Sequence, residues 1–354
     1  MAKKKEPTFA EQHTKMIRIA CFTLLCILTI FSCGVLFIIE TKKDAFDLAV
    51  AEQTYTIPVT IKNTLQSESF PLGVNPFKQK IVENIEVDSF VEAYLPKTVQ
   101  NQTKVTWLQK HILSKLALLD WYQNLASPIS RILVINSGER KEEVVDNFGD
   151  ILNWDTAARE IFITTIASST PALLEGKFYP GHYVVNIDAT PEVVAETLIN
   201  QFTANVTSRY PKDIEDIVPL KDALTIASLL EREAYDFEDM RYISGIIWNR
   251  LFIHMPLQID ASLQYAKANT QTGEWWPIPT PKDKYITSAF NTYKNKGLPP
   301  NPIANPSLEA ILAALNPKET DCLFYFHDED SGFHCTKTYE EHVTLIKQFY
   351  PKEN

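Results

Sequence analysis

Two glutamates, Glu231 and Glu233, flank Arg232 in the stretch Ala227-Ser228-Leu229-Leu230-Glu231-Arg232-Glu233-Ala234. A carboxyl beside apolar residues can give and take protons during bond cleavage, because desolvation keeps it neutral near pH 7. At about 100° per residue the apolar positions of this helical stretch centre near Leu230, with Glu233 about 60° and Glu231 about 100° from that centre. Each could sit at the edge of the packed face, and periodicity does not choose between them. Two residues along a helix is about 200° of rotation, so the pair is not expected to point into one cleft. The plain alternative is a pair of surface carboxylates around an arginine.

Other segments offer groups that bind rather than react. Phe290-Asn291-Thr292-Tyr293 leads into Gly297-Leu298-Pro299-Pro300-Asn301-Pro302-Ile303-Ala304-Asn305-Pro306. Prolines fix φ and remove donors, so this is expected to be a stiff, irregular wall with Asn and Tyr as hydrogen-bonding groups. Trp275 and Trp276 add flat apolar faces of the kind sugars stack against. Cys322 and Cys335 flank an expected hairpin, and an oxidising compartment permits a disulfide between them. A zinc site with His327 and His334 is the sharper alternative, but the spacing matches no standard motif.

These groups have to be positioned by elements that the sequence outlines. Arg131–Ile135 reads as a buried strand, followed by a turn at Asn136–Gly138 and helices at Glu139–Leu152 and Thr156–Ser168. Leu173–Val185 supplies a loop and a second strand, making a β-α-α-β unit. Thr190 and Pro191 open a helix to about Val206. Further helices are expected at Leu220–Phe237, Met240–Leu251, Ser307–Leu315 and Tyr339–Phe349. Residues 40–130 give only weak signals, with β-like runs at Tyr55–Ile61 and Gln79–Val87 and a helical stretch at Trp107–Ala126, and read as a spacer or packing subdomain.

The chain has 354 residues, 45% of them apolar, and a net charge of −10. Lys3, Lys4, Lys5, Lys15 and Arg18 against Glu6 and Glu11 leave the first eighteen residues at +3 and the rest at −13, which argues against nucleic-acid binding. From Ile19 to Ile39 there are twenty-one uncharged residues, a helix of about 31 Å and long enough to span a bilayer. The basic residues before it predict a cytoplasmic N-terminus and an outward-facing remainder.

Taken in order, ASLLEREA, Trp248-Asn249-Arg250-Leu251, Met255-Pro256-Leu257-Gln258-Ile259-Asp260, FNTYKNKGLPPNPIANP, Ala314-Leu315-Asn316-Pro317 and Lys337-Thr338-Tyr339-Glu340-Glu341-His342 resemble the YceG-like family, the endolytic murein transglycosylases often called MltG. The upstream EGKFYPGHY is similar to another segment of that family. Departures are Asn301 and Ser307 where the family has glycine, and Phe333-His334-Cys335 in place of a His-x-Phe. The resemblance implies an α+β fold: a cytoplasmic tail at 1–18, a single transmembrane helix at 19–39, a membrane-proximal spacer at 40–130, a LysM-like β-α-α-β subdomain within 131–210, and a mixed α+β catalytic domain at 211–354.

The resemblance also implies Glu231 as the catalytic residue, with Gln258, Asp260, Asn291 and Tyr293 as substrate contacts and no cofactor or metal. The implied enzyme sits in the bacterial cytoplasmic (inner) membrane and cuts the MurNAc-GlcNAc bond of nascent glycan strands, ending their elongation. Peptidoglycan is its partner, with synthases or division machinery beside it. An ordinary glycosidase needs two carboxylates; a lytic transglycosylase needs one, because the muramoyl 6-hydroxyl is the nucleophile and leaves a 1,6-anhydro end. The alternatives are a non-catalytic, membrane-tethered peptidoglycan-binding protein and a muramidase-type hydrolase, for which Asp260 is the motif-placed second acid.

Overall fold

The structure, a computed structural model, describes residues 18, 22–32, 34, 68–82, 87, 89–90, 130–268 and 273–350. The expected strand at Tyr55–Ile61 and helix at Trp107–Ala126 lie outside the described residues. So does part of the span at 19–39, of which 22–32 and 34 are described and helical. Among the described residues no helix is long and apolar enough to cross a membrane.

Val74–Asn75 (β1) and Lys80–Ile81 (β2) pair antiparallel across a turn capped by Asn75, whose side chain accepts from Lys78 N at 3.0 Å. Phe70, Val74, Ile81 and Phe90 are buried in the core of the C-terminal lobe, so these parts of the expected spacer do packing work.

The smaller lobe follows from period-two burial. Ser130–Ile135 (β3) buries Arg131, Leu133 and Ile135 on one face. Lys141–Ile151 (α1) and Thr156–Ser168 (α2) come next, α2 opening where Asp155 accepts from Ala158 N at 2.8 Å. Gly181–Asn186 (β4) then returns antiparallel to β3, with Leu133 opposite Tyr183. Phe148, Phe162 and Phe178 fill the space between them. Pro191–Asn205 (α3) spans two cores: Val194 and Leu198 face this one, and Phe202 faces the next.

The larger lobe is built on Leu220–Glu233 (α4), Phe237–Phe252 (α5) and Leu308–Leu315 (α7), with Asp260–Lys267 (α6) between. In α7 every residue from Ala310 to Leu315 is buried, as a stretch of helix apolar on every side must be. The expected single helix through Phe237 is instead broken after Glu233. Asp236 accepts from Asp239 N at 2.9 Å and starts a new helix, and Ala234 is already extended. Phe324–His327 (β5) and Phe333–Thr336 (β6) form a hairpin closed by a Cys322–Cys335 disulfide, and Tyr339–Phe349 (α8) ends the described chain.

The proline-rich wall is the seam between the lobes. Fully buried Asn305 donates from its backbone and from Nδ2 to Glu139 O at 2.8 and 2.9 Å, and its Oδ1 accepts from Phe178 N at 3.1 Å. Ile303 N reaches Ser228 Oγ of α4 at 3.0 Å.

Candidate active site

A cavity of about 720 Å3 opens between the C-terminal end of α4, the N-terminal end of α6 and the β5–β6 hairpin. Glu233, Gln258, Asp260, Tyr293 and Tyr325 are in its wall, with His327 and Lys284. The break after Glu233 explains this placement. As the last residue of its helix, Glu233 projects beyond the packed face toward the start of α6. Its Oε1 accepts from Ala261 N at 3.3 Å, and its Oε2 accepts from Tyr325 Oη at 2.9 Å. Ala261 N is one of the donors that a helix start leaves unpaired.

Burial is the first cause that raises the Glu233 carboxyl above its ordinary value, and the Asp260 charge adds to it. The Tyr325 and Ala261 hydrogen bonds and His327 oppose the rise, and they do not cancel it. Tyr325 and Tyr293 are both raised, first by burial and then by the carboxylates beside them, so each stays a hydrogen-bond donor at neutral pH. Tyr293 Oη donates to Asp260 Oδ1 at 2.6 Å. The geometry gives one partly desolvated acid, one neighbouring carboxylate and two phenols.

The structure therefore brings together Gln258, Asp260 and Tyr293 of the expected residues, but with Glu233 rather than Glu231. Glu231 does not line the cavity. Its Oε2 accepts from Ser307 N at 2.9 Å and from Ser307 Oγ at 2.6 Å, and Ser307 Oγ also caps α7 through Ala310 N at 3.1 Å. The serine that replaces a family glycine thus binds Glu231 into the seam. Asn291 is fully buried behind the wall, where Nδ2 donates to Lys284 O and Ile286 O at 3.1 and 2.8 Å and Oδ1 accepts from Tyr293 N at 2.9 Å. It shapes the loop that carries Tyr293 and offers the cavity no free polar atom.

Gln258 adopts a left-handed φ of 51° and is held by Thr292 O, which accepts from its N at 3.1 Å. Trp276 is engaged in the seam, with the Arg232 guanidinium 3.9 Å over its ring and its Nε1 donating to Glu143 at 3.0 Å. His327 and His334 pair with Asp239 at 2.8 Å and Asp328 at 2.6 Å, and the two thiols of the zinc alternative are consumed by the disulfide. The sequence does not single out Tyr325, and it offers His327 only as a zinc ligand. Their spacing of two puts both on one face of β5, but nothing local says which helix that face meets.

The chain is similar to known proteins over much of its length. The endolytic murein transglycosylase of Bacillus subtilis (strain 168) is 32% identical over 201 residues, 56% of this chain and 53% of that protein. The endolytic murein transglycosylase of Streptococcus pneumoniae serotype 2 is 32% identical over 159 residues, covering 45% of this chain and 29% of its own. The chain thus spans about half the length of the first relative and less than a third of the second. A crystal structure of a putative YceG-like protein from Listeria monocytogenes matches 60% of this chain and 75% of its own with a TM-score of 0.54 and 27% identity. The YceG-like family pattern itself runs from residue 80 to residue 348, most of the chain and both lobes, and the chain belongs to that family.

Proposed function

We propose that this chain is a membrane-anchored endolytic lytic transglycosylase that cleaves the MurNAc-GlcNAc bond of peptidoglycan strands, with Glu233 as its acid and base. The observation that carries the reading is the Glu233 carboxyl, raised by burial and facing a cavity wide enough for sugar rings. Protonated Glu233 gives its proton to the departing glycosidic oxygen. As a carboxylate it then takes the proton of the muramoyl 6-hydroxyl while that oxygen closes on C1, and the new end is a 1,6-anhydro sugar. Acid–base help of this kind contributes on the order of 10²–10⁴ in rate. Gln258, Asp260 and Tyr293 orient the strand.

The smaller lobe is read as the LysM-like glycan holder. Anchoring in the bacterial cytoplasmic membrane is supported by the uncharged run at 19–39. It is supported also by helix 22–32, whose Phe22, Ile30 and Phe31 are 67%, 71% and 70% exposed and need an apolar medium. One further reading has an observation behind it: Asp260 lies in the same cavity, as a muramidase-type hydrolase would require.

The test is digestion of purified peptidoglycan by the full-length chain in detergent, alongside its Glu233→Gln and Glu231→Gln variants. We expect ends lighter than a reducing sugar by one water, loss of activity in Glu233→Gln, and turnover retained in Glu231→Gln. Activity in Glu233→Gln with loss in Glu231→Gln would return the chemistry to Glu231. Reducing ends would mean that water attacks, and strands bound but uncut by the unaltered chain would mean a binding protein.

A further inference from the structure

The β5–β6 hairpin does more than wall the cavity. Four-residue strands paired only with each other are marginal in water. This hairpin is pinned at both ends. At its open end the Cys322–Cys335 disulfide joins the strands, Arg250 Nε donates to Leu323 O at 2.7 Å, and Asn249 Nδ2 donates to Thr320 O and Cys322 O at 2.8 and 3.2 Å. At its turn end His327 Nε2 meets Asp239 Oδ2 at 2.8 Å, and the same oxygen accepts from Tyr235 N at 2.9 Å. Tyr235 follows Glu233 by two residues, so the hairpin grips the chain break that frees the reacting carboxyl.

Between the pins is Tyr325, whose cross-strand partner is Cys335 itself. Its ring stacks on Phe333 at 6.1 Å, and Phe333 stacks on Tyr242 of α5 at 5.6 Å. The phenol is left one direction in which to donate, and Glu233 Oε2 is there at 2.9 Å.

Resting on the assignment of Glu233 as acid and base, we propose that Tyr325 is the positioning residue for the Glu233 carboxyl, held in place by the Cys322–Cys335 bridge. A carboxyl free to rotate between Ala261 N and solvent would present its proton to the glycosidic oxygen only part of the time. The phenol fixes Oε2, so that Oε1, which accepts from Ala261 N at 3.3 Å, keeps its remaining lone pair for the transferred proton. The charged or titratable groups around Glu233 are Asp260 on α6, Tyr293 and Lys284 on the adjoining loops, Tyr325 and His327 on β5 and Arg232 on its own helix, with Arg250 of α5 and Tyr339 and His342 of α8 lining the same cavity.

The experiment compares kcat, KM and the pH profile of kcat for the full-length chain in detergent, its Tyr325→Phe variant, and a Cys322→Ser/Cys335→Ser variant, with Glu233→Gln as the control. Tyr325→Phe keeps the ring and its stacking. We expect kcat to fall about tenfold, the worth of one hydrogen bond, with KM within about twofold. We also expect the alkaline limb of the profile to move to higher pH, because the Tyr325 hydroxyl is among the groups that lower the Glu233 carboxyl. Lower activity with a shifted limb distinguishes positioning from a structural defect, which would lower activity and leave the limb in place. The doubly substituted chain should show the same direction in both readouts.

An unchanged kcat and limb in Tyr325→Phe, with Glu233→Gln inactive, would overturn the role of Tyr325 and leave the acid–base assignment standing. A lowered kcat with an unmoved limb would also overturn it. Normal kinetics in the cysteine variant would remove the bridge from the proposal. An active Glu233→Gln would overturn the assignment on which both rest.

Discussion

Glu175 is a carboxyl buried where the lobes meet, and replacing it by glutamine should change how the stability of the fold depends on pH. It is 1% exposed, its Oε1 accepts from Lys141 N at 2.8 Å, and the Lys141 ammonium is 3.7 Å away. Burial pushes its carboxyl from the ordinary 4.5 up to about 8. Between those values the folded chain keeps a proton that the unfolded chain has released. Stability is therefore fully present below about pH 4.5 and is lost as pH rises toward about 8. At about 1.4 kcal/mol per pH unit the ceiling of that loss is about 5 kcal/mol, with the attraction of Lys141 already offsetting part of the burial, and relaxation around the ionised carboxyl makes the loss smaller than this.

Glutamine keeps the acceptor for Lys141 N and can turn its amide toward Tyr265 Oη, 3.5 Å from Glu175 Oε2. Glu175→Gln should match the unaltered chain at pH 5 to within about 1 kcal/mol and exceed it at pH 9. The assay is urea unfolding followed by tryptophan fluorescence at pH 5, 6, 7, 8 and 9. The difference between the two chains is the quantity to read, because every other group is common to both. Parallel stability curves would show that Glu175 does not hold its proton in the folded state, and the reasoning from burial would be wrong.

Two further outcomes follow from the same geometry. Asp260→Asn removes the neighbouring charge that helps raise Glu233, so the alkaline limb of the kcat profile should move to lower pH, and an unmoved limb would deny that the two carboxyls interact. Gly245→Ala would place a Cβ 2.3 Å from Lys318 O, a backbone atom, and should destabilise the chain by about 1–3 kcal/mol in thermal unfolding; an unchanged midpoint would mean that the loop after α7 yields freely.

Much of the fold is legible in the sequence because it is written in local chemistry. Thr156–Ser168 is bounded by the Asp155 cap, Pro191 opens α3, and alternation marks β3. The break between α4 and α5 is expected from the sequence after Phe237, but it falls after Glu233. Leu220–Phe237 is continuously compatible with a helix, and only the Asp236 cap, which is equally acceptable inside a surface helix, separates the two. The site was legible to the level of segments. Gln258, Asp260 and Tyr293 converge, but helical geometry assumes a side chain inside a helix, and Glu233 is at an end. The Trp248-Asn249-Arg250-Leu251 run reads as a motif and is a set of tethers: Trp248 Nε1 donates to Ala314 O at 2.9 Å, and Asn249 and Arg250 hold the start of the hairpin. Such partners are distant in sequence, so no window of residues contains them.

The positions of the two cavity carboxyls bear on whether water or a sugar hydroxyl attacks. Asp260 is the first residue of α6, and the N–H that meets Glu233 belongs to the next residue, Ala261. Both carboxyls thus meet at one helix start, and both line the cavity. A hydrolase that inverts needs its acid and base on opposite faces of the ring, and one that retains needs a nucleophile on the face opposite the leaving group. Asp260 is further committed through Oδ1 to Tyr293 at 2.6 Å. From there its charge raises Glu233 and favours the protonated acid. An intramolecular hydroxyl has no such requirement, since it attacks from the substrate itself and gives up its proton to the carboxylate that the first step created. The commitment of Asp260 to Tyr293 supports the proposed anhydro closure, with Asp260 proposed to tune the acid rather than to act as a second catalyst.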